Sequence, residues 1–404
     1  MKKMIEKSRG SAMLVMIIIA SSISLMLYMS TPWSPGMIMG EGENNYPMGN
    51  IPTSAPPVVD YTRFGTDYAG MVTKLTSLAT LFPNYAELID LNTLYGLPGV
   101  PKTGGGTYTL YALRMTNETM GLHKPEVLLQ GGIHGDEFTT PTALIWFCDW
   151  FLRYAVGYSG RVPADPNYNG FESDYLKWLL NNREIYVLPA FNPDGIVRNV
   201  RTDQTGRDMN RNFDWNVETS PSMATVNAQV LREFINKHQF RIGFGGHDGA
   251  HFICYPMDSA FSGVTGRTIA NTVSLPSRAG VSQGFAPPDY YYFDEMLGNF
   301  INFTGNTPGG YFGAGSSDEG NFCPGGAWYP ALGCQDTFMY ASQATHSYPY
   351  TQNDGAYPGA GIFWFTVEYS TTKNTAATYF GDDSSSTTAC WVATIKRQML
   401  YLID

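Results

Sequence analysis

The chain has 404 residues, 43% of them hydrophobic and 14% aromatic, enough for a sizeable core in one large domain or two ordinary ones. A formal net charge of -10 with 15% charged residues, and no basic cluster after the first ten residues, excludes the electrostatic footprint of a nucleic-acid binder.

Lys2, Lys3, Lys7 and Arg9 precede about nineteen uncharged residues, Ser11 to Met29, close to the length that crosses a bilayer as a helix. A cleaved signal peptide has an apolar region of roughly 7–15 residues and a small-x-small site. The longer run favours an uncleaved anchor, and its positive flank predicts that the rest of the chain faces outward; residues 1–30 are read as signal anchor or signal peptide. Residues 31–57, rich in Pro, Gly, Ser and Asn, read as a flexible tether. One folded domain is expected over 58–404.

Within it, Tyr68, Met71, Val72, Leu75, Leu78 and Ala79 recur at helical spacing, and "TYTLYALRM" alternates as a strand. "PEVLLQGG" reads as a short apolar strand leading into a helix from about Thr139 to Tyr154. After a helix-and-loop segment around "DYLKWLLNN" come the strand "EIYVLPAF", a helix near Ala224–His238 and the strand "RIGFGGH". A long Gly/Pro/Tyr-rich region, about Gly305 to Gly361, precedes the strand "IFWFTVEYS" and the closing amphipathic helix "ACWVATIKRQMLYL". Strands interleaved with helices predict a single-domain α/β fold with a mixed, mostly parallel central sheet flanked by helices, preceded by the N-terminal hydrophobic helix. The five cysteines, Cys148, Cys254, Cys323, Cys334 and Cys390, contain no CxxC pattern, and Cys323 with Cys334, flanking one Gly-rich loop, is the expected disulfide of an exported chain.

In open α/β folds, ligands bind beyond the carboxyl ends of strands. Reactive residues cluster there: His134 and Glu137 after "VLLQGGI", "NPDG" and "DMNRNFDW" after "EIYVLPAF", His247 after "RIGFGG", and Glu368 ending "IFWFTVE". An H-x-x-E pair alone is most often a hydrogen-bonded polar pair. Two His and one Glu on strand ends make the three-ligand set of a catalytic zinc with a fourth position open.

These segments resemble the zinc metallocarboxypeptidase family, and most of all its regulatory branch, typified by carboxypeptidases E, N and D. "GGIHGDE", "FNPDG", "DMNRNFDW", "HDGAHFICYPMD", "GGAWYPALGCQD" and "FTVEYS" are similar to six motifs of that branch in the same order. The resemblance implies that His134, Glu137 and His247 bind Zn2+, that Asp208 hydrogen-bonds a zinc-bound imidazole, and that Glu368 is the general base. It implies that Arg201 stabilises the oxyanion, with Arg198 a rival in the same short loop. Asn210 and Arg211 would hold the substrate's terminal carboxylate, and Tyr329 would close over it. Asp258, eleven positions after His247, would pair with a departing Arg or Lys side chain, with Gln335 on the other side of the pocket.

The chain departs from the pattern at Asp248, where the branch has Gly, at the shortened Tyr329 segment, and at the extra stretch "QATHSYPYTQNDGAY". The implied function is a zinc-dependent carboxypeptidase acting on peptide or protein C-termini, preferring C-terminal Arg/Lys, exported and membrane-anchored or secreted. The alternatives are a related zinc amidase acting on peptidoglycan stem peptides or small acylated amino acids, and a non-catalytic binding module of the same fold.

Overall fold

The apolar run at Val127–Leu129 and the sequence Glu184–Leu188, buried at every position, are too continuous for a strand with one wet face. Such strands belong inside a sheet covered on both sides. The computed structural model describes residues 61–157, 161–162, 171–213, 223–250, 252–256, 258, 273–274, 285–287, 289–304, 322–328, 331–340, 360–373, 375–377, 380 and 391–404. The expected N-terminal hydrophobic helix, the tether, Tyr329, the "QATHSYPYTQNDGAY" stretch and Cys390 lie outside them. Among the described residues, no helix is long and apolar enough to cross a membrane.

Eight strands form the main sheet: β1 (Ala86–Asp90), β2 (Tyr111–Met115), β3 (Glu126–Gly131), β4 (Glu184–Leu188), β5 (Ile242–His247), β6 (Phe252–Tyr255), β7 (Phe322–Pro324) and β8 (Phe363–Glu368). Their spatial order is β1-β2-β4-β3-β5-β8-β6-β7. The central strands β4, β3, β5 and β8 are parallel, so their carboxyl ends meet at one edge. Antiparallel pairings join β1 to β2, β2 to β4 and β6 to β8, while β7 runs parallel to β6. The sheet is mixed and mostly parallel, as the interleaved pattern predicts.

Besides two four-residue helices, Leu91–Leu94 and Gly325–Trp328, the helices of the described residues are α1 (Tyr68–Leu81), α2 (Thr139–Gly157), α3 (Ser173–Asn182), α4 (Pro193–Arg198), α5 (Val226–Lys237), α6 (Tyr290–Thr304), α7 (Gln335–Tyr340) and α8 (Trp391–Ile403). Helix α2 is buried on nearly all sides between β3, α1, α3 and α8, which explains its mostly apolar composition; its one buried acid, Asp149, is paired with Lys74 and Arg153. Strand β5 is rich in glycine because Trp364 of β8 occupies the space beside it. A Cβ on Gly243 would lie 2.5 Å from that indole, and one on Gly246 only 2.1 Å from Thr140 at the start of α2.

Strands β1, β6 and β7 and helix α6 were not legible from periodicity. β6 and β7 have four and three residues, and the apolar face of α6, Phe293, Leu297 and Phe300, is embedded in a Tyr-rich run. "TYTLYALRM" is two strands: Thr107–Tyr108 pairs with Val100–Pro101, and only Tyr111–Met115 enters the main sheet. The expected Cys323–Cys334 disulfide is corrected. The two are not joined to each other: Cys323 stands opposite Cys254 in the β6–β7 register, while the Cys334 sulfur lies 3.5 Å from Arg211 Nη1.

Candidate active site

Four chain segments converge at the carboxyl edge of the parallel strands. After β3 the chain turns through Gly132, at φ +68°, and places His134 and Glu137 ahead of α2. Gly135 is seated on the first turn of α4, where any Cβ would lie 2.0 Å from the Gly195 carbonyl carbon. That turn is fixed by its own sequence: Asn192 caps α4 by accepting from Gly195 N at 3.0 Å, and Pro193 starts the helix without an orphaned N–H. His247 ends β5 and Glu368 ends β8, and the two are register partners.

The Nδ1 of His134 is 2.8 Å from Glu137 Oε1, the Nδ1 of His247 is 3.0 Å from Glu137 Oε2, and the two Nδ1 atoms are 3.2 Å apart. Two imidazole nitrogens this close cannot both carry protons toward each other. Asp208 Oδ1 lies 3.2 Å from His134 Nε2, so it accepts the proton there and leaves the Nδ1 lone pair facing His247 and Glu137. Two nitrogen lone pairs and a carboxylate, all buried and converging, suit a zinc ion, and the three residues could hold one. A 3-10 turn, Met209–Arg211, carries Asp208 as its cap, with Asn210 N donating to Asp208 Oδ1 at 2.9 Å. Asp208 is held well below the usual carboxylate range by His134 and Arg201, against the opposing effect of burial. Replacing Asp208 with Asn is expected to weaken metal affinity roughly 10–100-fold, because the amide no longer fixes the His134 tautomer. Competition with a chromogenic chelator measures it, and an unchanged affinity would remove Asp208 from this role.

Arg201 and Arg198, both candidates from the sequence, separate in the structure. Arg198 is bound to Asp194 at 2.8 Å and to the carbonyls of Thr202 and Asp203, a scaffold for its own loop. Arg201 donates through Nε to Asp208 at 2.7 Å, and its Nη1 lies 3.2 Å from His134 Nδ1.

Glu368 is buried, and its Oε2 has no hydrogen-bond partner among the described residues. Burial lifts its pKa to about 7, with Glu137 adding to the shift and His247, Lys373 and Arg201 opposing it. Asp248, the departure from the branch pattern, bridges strand ends: its Oδ2 accepts from Thr139 N at 3.0 Å and its Oδ1 from Ser370 N at 3.2 Å. It thereby ties the start of α2 to the segments after β5 and β8.

A cavity of about 170 Å³ runs from this group past Cys254 and Thr366, register partners on β6 and β8, to Asp258. Asn210 and Arg211 line it. Asn210 Oδ1 accepts from Gln335 N at 2.8 Å, which leaves the amide NH₂ as the group to offer a ligand. Asp258 is buried with its carboxylate pressed on Gly325, where a Cβ would be 1.5 Å from Oδ1. Gln335, expected on the other side of the pocket from Asp258, does not line the cavity: its side chain is paired reciprocally with Gln130 of β3, at 3.0 and 2.7 Å. Its neighbour Asp336 lines the cavity instead, against Asp258. Burial and then Asp336 push the Asp258 carboxyl up, with Arg211 and Cys334 opposing.

Asp336 and Lys373 are the cavity residues the sequence reading missed. Asp336 ends the quoted motif "GGAWYPALGCQD" and was passed over for Gln335. Lys373 follows Glu368 by five positions in a polar turn, and its Nζ lies 3.0 Å from Glu137 Oε1 and 3.3 Å from Asp136. Tyr329 lies outside the described residues.

A family model described as zinc carboxypeptidase matches residues 106–380, which contain every one of these site residues. The chain belongs to the zinc carboxypeptidase family. Among curated relatives, human carboxypeptidase D is 30% identical over 156 residues, 34% of this chain and 10% of that protein. Carboxypeptidase B of Bos taurus is 31% identical over 120 residues, 26% of this chain and 25% of that protein. The chain thus spans a quarter or less of the length of these relatives. The crystal structure of carboxypeptidase A from Helicoverpa armigera superposes with a TM-score of 0.50 at 18% identity, covering 83% of this chain and 73% of that one, a likeness of fold.

Proposed function

We propose that the chain is a zinc-dependent metallocarboxypeptidase that hydrolyses the C-terminal peptide bond of peptides or proteins, with a preference for C-terminal Arg or Lys. The observation that carries this reading is the orphaned, buried Oε2 of Glu368 beside the converging His134, Glu137 and His247. A zinc ion held by those three residues supplies Lewis acidity that polarises the scissile carbonyl and acidifies a water. Glu368 takes a proton from the attacking water and passes it to the leaving amine. Arg201, anchored through Nε to Asp208 and with Nη1 beside His134, offers its guanidinium to the oxygen that gains charge as the carbonyl becomes tetrahedral.

Arg211 and Asn210 bind the terminal carboxylate, the Arg as a planar fork. An internal peptide bond offers no such group, so the clamp makes the enzyme an exopeptidase. Tyr329 is assigned to closure over that terminus on the strength of the flanking motif alone. The carboxyl pair Asp258 and Asp336 receives the basic side chain, since a buried carboxylate is costly until a cation meets it. The charged start and apolar run of residues 2–29 support export, by an anchor or a cleaved leader.

The test compares free-acid peptides with their C-terminally amidated counterparts, and linear peptides with cell-wall muropeptides. Release of single residues from free acids only, and about a tenfold or greater loss of kcat/KM in Arg211→Lys, is the expected result, because an ammonium cannot form the two-point clamp. Equal cleavage of amides, or activity confined to muropeptides, would overturn the reading in favour of an amidase.

A further inference from the structure

Cys254 on β6 and Cys323 on β7 are directly opposed in parallel register, and their side chains come close enough to hydrogen-bond. Neighbouring strands lie about 4.8 Å apart, inside the roughly 4.4–6.8 Å Cα separation that a disulfide spans. Register partners project from the same face of a sheet, so neither strand must slide or twist for the two sulfurs to meet. The other two described cysteines lack such a partner: Cys148 sits within α2, and Cys334 rests on Arg211.

We propose that Cys254 and Cys323 form an intrachain disulfide that closes one wall of the substrate cavity. With a small disulfide such as oxidised glutathione as oxidant, the reaction balances in two exchanges. Cys323, the more exposed of the two, attacks as thiolate and forms a mixed disulfide, releasing one glutathione thiolate. Cys254 then attacks the Cys323 sulfur and displaces the second. The two electrons pass from the protein thiols to glutathione, and the two thiol protons are taken up by the two glutathione thiolates.

The position gives the bond a second consequence, which rests on the specificity assigned above to Asp258. Strand β6 leads within three residues to Asp258, and β7 leads directly to Gly325, on whose Cα the Asp258 carboxylate is pressed. A covalent tie between the strands fixes the two backbone runs that grip that carboxylate.

The full chain is incubated with oxidised glutathione and denatured, its free thiols are alkylated, and the unreduced digest is mapped by mass spectrometry. The expected map joins the Cys254 and Cys323 peptides and leaves Cys148 and Cys334 alkylated. Alkylation of Cys254 and Cys323, glutathione retained on either, or a bond from either to Cys390 or another cysteine would overturn the proposal. Joining the pair is expected to raise the apparent melting temperature by roughly 5–10 °C over protein reduced with a phosphine, which spares zinc. A Cys254→Ser/Cys323→Ser variant should show no response to glutathione, and a response of wild-type size in that variant counts against the assignment. Reduction is expected to raise KM for peptides ending in Arg severalfold at constant kcat. A joined pair with unchanged KM upholds the disulfide and removes its role at the cavity, whereas a joined pair in a protein inactive on every peptide refutes the carboxypeptidase reading and leaves the disulfide standing.

Discussion

Glu368→Gln is expected to lower kcat by about 10²–10⁴-fold while zinc content and KM stay near their starting values. The amide is nearly isosteric with the carboxylate and occupies the same place at the end of β8, so the cavity keeps its shape. What it loses is the ability to accept a proton, and Glu368 Oε2 is the buried acceptor beside the His–Glu–His group without a hydrogen-bond partner among the described residues. The pH profile gives a second readout. Burial holds this carboxyl at about 7, and the positive charge of a metal ion draws it down from there. Activity needs the ionised form, so it is expected to fall as pH drops through a limb below about 7. That limb should vanish in Glu368→Gln. A variant with near-normal turnover, or one that keeps the same limb, would place the base elsewhere. Metal analysis by atomic absorption on the same preparations separates loss of the base from loss of the ion.

Asp258→Ala is expected to lower kcat/KM for peptides ending in Arg by about 10²–10³-fold and to change little for those ending in Leu. Removing one member of a buried ion pair costs roughly 3–5 kcal/mol, and about 1.4 kcal/mol is a factor of ten. Gly325 matters to that magnitude: with no side chain there, the carboxylate is pressed against backbone and cannot swing away. Asp336 lines the same cavity and can retain a weaker attraction, so Asp258→Ala/Asp336→Ala should go further than either single change. Without a cation, burial and then Asp336 favour the protonated form of Asp258 against Arg211 and Cys334, and an arriving guanidinium favours loss of that proton. KM for Arg peptides should therefore fall as pH rises, while KM for Leu peptides stays level. A matched series ending in Arg, Lys, Phe, Leu and Glu decides the matter: a wild type that favours Phe or Leu, or a ranking unmoved by the substitution, refutes the basic preference.

The residues proposed to do the chemistry were legible because chemistry constrains their type and spacing. His134 and Glu137 follow, and His247 and Glu368 end, strands long enough to be recognised, and all four stand at the same edge in the fold. The partition of a pocket wall among neighbouring polar residues was not legible. Gln335 and Asp336 are adjacent in sequence, and which one faces the cavity depends on Gln130, 205 residues away, capturing the Gln335 amide. The same holds for Arg198 and Arg201: Asp194 and two loop carbonyls take the first, and Asp208 takes the second. Short strands such as Phe322–Pro324 owe their existence to the neighbour they pair with, and nothing local announces them. Asp248 reads in sequence as an added charge beside a metal ligand, whereas its two oxygens are engaged by backbone N–H groups of Thr139 and Ser370.

Strand β8 is the last of the eight in the chain, yet it lies between β5 and β6 near the middle of the sheet. During synthesis, β5 and β6 are made more than a hundred residues before the segment that fills the gap between them. Until residues 363–368 have emerged and inserted, the growing protein has raw edges on both of those strands and lacks Glu368, the proposed base. Under the proposed mechanism the chain cannot hydrolyse peptides while it is being made, and in that interval it depends on whatever shields those edges from sticking to other chains.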